Sequence, residues 1–225
     1  MAQAVFLPQN PVDLRQFTKV AQGKNRDIYI VPGADLDPAA PPAPVVLKVP
    51  RYADRASVDS PAKRVLRRLL PGSLLRVIRK EAQYRAKLPE PQPIPAFLGY
   101  VDTSQGRAAL WEAVCTRKGK LAPTLKSLAA RGRVSEVVEP LNQFAKTCFE
   151  QNLVAPDIND RNLVLTKAGG KRVVLVDGFG DHRLFSLRGL SRAHNQRSLV
   201  NRFQKVARQM GLAFDPETRR FSLPG

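Results

Sequence analysis

Cysteine is nearly absent from this chain, which carries only Cys115 and Cys148 in 225 residues. The two thiols do not stand at metal-ligand spacing, so a structural zinc site is not expected. Cys148 lies on an apolar helical stripe, so both are expected to be reduced packing residues. Long apolar runs are missing as well. None approaches the roughly 18 residues that cross a bilayer, which argues against an integral membrane span. The opening residues, MAQAVFLPQNPVDLRQF, lack a basic stretch followed by an apolar one, so no secretory leader is visible and a cytoplasmic location is expected. Acids are the scarcest class relative to their counterpart: 19 Asp and Glu face 37 Lys and Arg, a formal net charge of +18. Such a field draws anionic partners without choosing among nucleic acid, an anionic lipid surface or a phosphorylated small molecule.

What is present is a chain long enough to bury a sizeable core, as one domain or as two lobes. LRQFTKVAQGKNRDIYI (14–30) reads as strand, a turn around Gly23-Lys24-Asn25, and strand. PGADLDPAAPPAP (32–44) is too rich in Pro and Ala to pack and reads as a connector. VVLKVP (45–50) is a third strand with one lysine among apolar neighbours. Residues 51–88 carry apolar positions near helical spacing, and Pro71-Gly72 divides them into two helices. Residues 93–114 read as two more strands joined by a turn at 102–106.

The second half reads differently. A brief helix over 124–131 precedes a longer one over 135–152, whose apolar face includes Leu141, Phe144, Cys148 and Phe149 and whose true first turn Pro140 moves later. NLVLTKAGGKRVVLVDGFG (162–180) is a hairpin turning at Ala168-Gly169-Gly170. SLVNRFQKVARQMG (198–211) is an amphipathic helix with Ser198 as N-cap and Gly211 as its stop. The fold class expected is α+β: a five-stranded antiparallel lobe with one main helix over 1–114, then a compact, mostly helical lobe over 115–225.

Polar groups punctuate this order at chemically suggestive places. Asp157 and Asn162, in VAPDINDRNLVL, stand five residues apart, and the hairpin that follows would bring Asn162 beside Asp177 at the end of VVLV. Two oxygen donors so placed suit Mg²⁺. Lys48 in VLKV has its stem buried between apolar neighbours, and Glu81 ends a basic helical run. Each alone is an ordinary residue: a snorkelling lysine, a solvated glutamate, turn residues. Their order along the chain resembles the protein-kinase-like fold. There the Asp of Asp-x4-Asn orients the acceptor hydroxyl, the Asn and a later Asp hold metal, and a third-strand lysine paired to a helix glutamate meets the α/β-phosphates. Gly23 stands where the phosphate-covering turn would be.

The chain also resembles the bacterial YrbL proteins, the PhoP regulatory network proteins. That resemblance runs from about Leu14 to Gly211, on GKNRDIYIVP, VLKV, KEAQYRAKL, IPAFLGYVDTSQG, LWEAV, PDINDRNLVL and VVLVDGFGD. It implies a kinase-like fold and a bacterial envelope or magnesium-stress setting, with no settled substrate. By the same resemblance LWEAV is a hinge whose Glu112 carbonyl and Val114 amide would meet adenine, with Trp111 either a gatekeeper or a core residue.

The departures are specific. Ala155 replaces the histidine that kinases usually carry two positions before the Asp, and Asn159 replaces the basic residue two after it. Glycine is inserted in Asp177-Gly178-Phe179-Gly180, and no Ala-Pro-Glu anchor follows. The expectation is therefore an ATP- and Mg²⁺-dependent phosphotransferase acting on a small or lipid- or glycan-linked hydroxyl rather than on a peptide. Two alternatives stay open. One is a non-catalytic kinase-like regulatory or binding protein. The other is a basic protein held to an anionic membrane by segment 51–87, with nucleic acid not expected there because no recognisable nucleic-acid motif is present.

Overall fold

The computed structural model describes residues 11–22, 26–36, 43–51, 73–180 and 191–225, with side chains from residue 79 onward in the helix that begins at Ser73. Gly23, residues 37–42 of the Pro-rich connector and residues 52–72 of the basic segment 51–87 lie outside the described residues. The chain divides into two compact units, residues 1–82 with 96–113 and residues 83–95 with 114–225. It is an α+β protein.

The first unit is an antiparallel five-stranded sheet, β1 (Thr18–Gln22), β2 (Arg26–Pro32), β3 (Pro44–Pro50), β4 (Phe97–Thr103) and β5 (Gly106–Glu112), in the order β1-β2-β3-β5-β4. β2 alternates buried and half-buried residues, so Tyr29 and Val31 join Leu47, Val49, Val101 and Leu110 in one apolar layer. Because side chains alternate across a strand, Lys48 leaves the face that Leu47 and Val49 occupy. Leu14–Gln16, expected as strand, is a short 3₁₀ turn: the Asp13 carboxylate accepts from Arg15 N–H, a local bond that competes with strand pairing. Helix α1 (Ser73–Lys87) places Glu81 and Ala82 among the buried residues.

The second unit holds α2 (Leu125–Ala129), α3 (Val138–Glu150), the hairpin β6 (Leu163–Thr166) and β7 (Arg172–Leu175), α4 (Arg192–Met210), and a closing hairpin of β8 (Ala213–Asp215) and β9 (Arg220–Ser222). α3 begins at Val138, later than residue 135 as expected, after a 3₁₀ turn over Val134–Val137, and Pro140 stays inside it. It sits in the first turn, where a missing N–H costs nothing because those donors have no intrahelical partner. The rings of Phe144, Phe149, Phe214 and Phe221 surround Phe203, which is fully buried. Burying such a side chain contributes about 1.5–3 kcal/mol.

α4 starts seven residues earlier than its apolar stripe announces. Ser191, not Ser198, is the N-cap, its Oγ accepting from His194 N–H at 3.3 Å. Gly211 ends the helix as expected, in a left-handed conformation at φ 67°. No helix among the described residues is long and apolar enough to cross a membrane.

Candidate functional site

The loop after α3 is built from its backbone upward. Asn152 takes φ 50°, turning the chain out of the helix, and the buried Asn195 amide of α4 donates to Asn152 and Leu153 carbonyls at 3.0 and 3.1 Å. Val154 N–H donates to the Tyr84 hydroxyl at 2.6 Å, and Val154 carbonyl accepts from Gly180 N–H at 2.7 Å. Ala155 and Ile158 are buried and anchor the loop, leaving Asp157 exposed between them.

Two amides grip Asp157. Asn162 Nδ2 donates to its Oδ2 at 3.0 Å and Asn159 Nδ2 to its Oδ1 at 3.0 Å, and both also reach its main-chain carbonyl. Asn159 in turn accepts from the backbone N–H of Arg161 and of Asn162, fixing the turn between them. The Asp157–Asn162 pair is thus in direct contact. Asn159, noted in the sequence only for the charge it fails to carry, is the second clamp.

The hairpin brings the backbone just before Asp177 to Asn162. The β6–β7 ladder pairs Leu163 with Leu175, and Val176 N–H extends it to Asn162 carbonyl at 2.9 Å, so Asp177 leaves the ladder beside Asn162. The inserted glycine has a definite place here. Gly178 lies at φ 79°, its carbonyl accepts from Asp157 N–H at 3.3 Å, and a Cβ built on it would stand 2.6 Å from Asp157 Cβ.

Oxygen donors of this kind fit magnesium. The Asn162 amide nitrogen is committed to Asp157, which leaves its Oδ1 as an acceptor. Among the described residues no group of three or more His, Cys, Asp or Glu could hold a metal. Magnesium, however, usually keeps several waters and takes one or two protein carboxylates plus phosphate oxygens, so this pair matches its habit.

Asp160 plays another part. It is buried, its carbonyl accepts from Lys126 N–H at 2.9 Å at the start of α2, and its N–H donates to Gln209 of α4 at 3.3 Å. It is loop support.

The first unit carries Lys48 and Glu81. Lys48 is 4% exposed with Nζ 5.1 Å from the centre of the Trp111 ring, itself buried at the edge of Phe97. Glu81 is fully buried and receives both arms of the Arg26 guanidinium, at 2.9 and 2.8 Å. The sequence reading missed Arg26. The clue was available in principle, since a buried carboxylate demands a cation, but the burial of Glu81 was not legible. Glu112 and Ala96 exchange hydrogen bonds: Glu112 N–H donates to Ala96 carbonyl, and Ala96 N–H to Glu112 Oε2. In the second unit the Val114 carbonyl accepts from Ala122 N–H at 2.8 Å. A separate cleft of about 870 Å³, lined by Phe149, Arg192, Arg219 and neighbours, contains none of these candidate residues.

Burial pushes the Tyr84 phenol up to about 12, against the lowering effect of the Val154 N–H. Because the unfolded phenol ionises first, near its ordinary value of about 10, the stability Tyr84 contributes is complete below that pH. It drains away as pH rises toward about 12. Tyr84→Phe is expected to cost about 1–3 kcal/mol at pH 8, by stranding the Val154 N–H. It should also flatten the loss of stability between pH 9 and 11.5, read from urea unfolding at each pH. An unchanged alkaline profile would show that Tyr84 is not the group responsible.

A comparison with curated proteins finds no match. The model of one family, described as PhoP regulatory network protein YrbL, matches residues 12–211, and the chain therefore belongs to the YrbL family.

Proposed function

We propose that this protein is an ATP- and Mg²⁺-dependent phosphotransferase of kinase-like fold, acting on a small-molecule or lipid- or glycan-linked hydroxyl in a bacterial regulatory setting. The observation that carries the reading is the contact of Asp157 with Asn162, with Asp177 delivered beside Asn162 by the hairpin. Phosphoryl transfer asks little covalent work of a protein and much positioning. A carboxylate offers about four lone-pair sites. The two side-chain amides occupy one on each Asp157 oxygen, so the group is fixed in orientation and still has capacity to accept from an acceptor hydroxyl. Asp157 takes that proton as the acceptor oxygen bonds to the γ-phosphorus and the bond to the β-bridging oxygen breaks. Asp177 and Asn162 are the residues that would hold magnesium, which would supply charge neutralisation when bound. Lys48 is assigned to the α/β-phosphates, with Glu81 as the helix carboxylate and Gly23, Glu112 and Val114 as further nucleotide contacts.

One observation favours a second reading, a nucleotide-binding regulatory protein without turnover. Asn159 replaces a cation that would stabilise the transferring phosphate, and its amide is occupied in clamping Asp157.

A thermal-shift measurement tests both. At Mg²⁺·ATP about 100-fold above Kd, binding adds about 2.7 kcal/mol, which raises Tm by roughly 5–10 °C in a domain of this size. The wild type is expected to show this rise and Asp177→Ala to lose it. A Tm indifferent to millimolar Mg²⁺·ATP would overturn the proposal, and a shift without ATP turnover on any hydroxyl acceptor would favour the second reading.

A further inference from the structure

We propose, resting on the phosphotransferase reading above, that Tyr84 is a positioning residue: it clasps the backbone segment leading to Asp157 against the segment leaving Asp177 and so sets the spacing between them. Residues 154–157 and 177–180 belong to no helix or strand. Two hydrogen bonds nevertheless cross between them, Gly180 N–H donating to the Val154 carbonyl at 2.7 Å and Asp157 N–H to the Gly178 carbonyl at 3.3 Å. The segments form a short ladder with one close rung and one long one. All of these residues, Tyr84 included, lie in the second unit.

Tyr84 holds the close end of that ladder. Its hydroxyl accepts from Val154 N–H at 2.6 Å, so the N–H and the carbonyl of this buried residue are both bonded. Its ring lies against the other segment, because a methyl built on Gly180 would stand 3.5 Å from each of Tyr84 Cβ, Cγ and Cδ1. One side chain, 70 residues from the loop it holds, thus touches both segments. The far rung has less of its own to rely on, since 3.3 Å lies beyond the usual N–H···O range of about 2.7–3.2 Å. The register of Asp157 against Gly178 therefore depends on the anchor at Val154.

The place of the clasp separates positioning from plain stabilisation. Val154 stands three residues before Asp157 and Gly180 three residues after Asp177, so each contact of Tyr84 is as close along the chain to a proposed reacting group as the other. Phosphoryl transfer needs the acceptor and the metal-bound phosphate in line, and a misplacement of about 1 Å can cost about 100-fold in rate. A slip of one segment against the other changes that spacing while leaving both carboxyl groups intact. Nucleotide binding tolerates such a slip better than the transition state does, so the loss falls on turnover. Only tyrosine supplies both contacts, since phenylalanine has the ring without the acceptor.

The test compares Tyr84→Phe with Val206→Ala, a core variant of α4 that lowers stability away from the loop. Amide hydrogen exchange, read by NMR, reports the clasp without any substrate. In Tyr84→Phe the Asp157 and Gly180 amides are expected to exchange at least about 10-fold faster relative to the Leu165 and Leu175 amides, which bond to Pro123 and Pro93 carbonyls. Val206→Ala should leave those ratios unchanged. Mg²⁺-dependent ATP hydrolysis, with water in place of the acceptor, reads the chemistry. Tyr84→Phe is expected to lower kcat at least about 10-fold with KM for Mg²⁺·ATP within about 3-fold, and the control to keep both. Exchange ratios that stay put, or move equally in the control, would overturn the clasp. Faster exchange with unchanged kcat would overturn the positioning role and leave Tyr84 structural. A wild type that does not hydrolyse ATP would overturn the reaction and with it the role in catalysis, while the exchange ratios would still decide the clasp, so the two failures are distinguishable.

Discussion

Replacing Gly178 with alanine is expected to destabilise the protein by about 2–4 kcal/mol, a loss large enough to consume much of an ordinary domain's margin. Two costs combine. At φ 79° an L-residue is held in left-handed backbone, worth about 1–2 kcal/mol. The added methyl would also stand 2.6 Å from Asp157 Cβ, with Asp157 carbonyl oxygen at 3.2 Å and Cα at 3.3 Å. Those atoms are the root of a side chain and its backbone, so no flexible end can swing aside, and relief requires the loop itself to move. Gly169→Ala is the control. It sits at φ 65° with nothing within 4 Å of the would-be Cβ, so it carries the conformational cost without the contact. Urea unfolding of both variants isolates the contact as their difference, expected at about 1–2 kcal/mol. Equal losses at the two positions would mean that the approach of Gly178 to Asp157 is not a packing constraint. Since the loop that must yield carries Asp157, the Gly178 variant should also lose nucleotide-induced stabilisation beyond what its lower Tm explains, and Gly169→Ala should keep it.

That glycine shows what could be read from the chain and what could not. Its presence after Asp177 was visible as an insertion, but its purpose depends on which residue lies against it, and sequence spacing does not report that. The same division runs through the molecule. The strands of the sheet and the β6–β7 hairpin were legible because alternation and turn residues are local signals. The return of the chain at Val176 to Asn162 followed from the hairpin alone. The start of α4 was hidden by Asn195, a polar residue at a buried helical position, which breaks the apolar stripe because its amide is required by the turn at Asn152 and Leu153. The closing hairpin was hidden by its three-residue strands, too short for alternation to register, although Asn142 of α3 fixes it by bonding both the N–H and the carbonyl of Phe221. Long-range polar pairing was the least legible of all, and Arg26 with Glu81, 55 residues apart, is its clearest case.

That pair gives the other large effect. Arg26→Met is expected to cost about 3–5 kcal/mol, the penalty for breaking a buried ion pair, because the Glu81 side chain is 1% exposed and the Arg26 side chain 16%. A pair at the surface would cost under about 1 kcal/mol, so the size of the loss reports burial directly. Arg26→Lys keeps the charge but cannot make two parallel bonds to both carboxylate oxygens, and should recover only part of the loss. Replacing both partners, as Arg26→Met with Glu81→Leu, removes the buried carboxylate together with its cation and should regain at least half of what Arg26→Met loses, since apolar substitutes for a buried pair are often neutral. Chemical unfolding of the four proteins closes the cycle. If the double variant is as unstable as the sum of its two singles, Arg26 and Glu81 are not coupled and the loss belongs to packing of the arginine stem. If the coupling is present, Arg26 fixes the glutamate to which the proposed reaction assigns the role of helix carboxylate. Mg²⁺·ATP should then stabilise Arg26→Lys less than wild type even where the two unfold at similar urea concentrations.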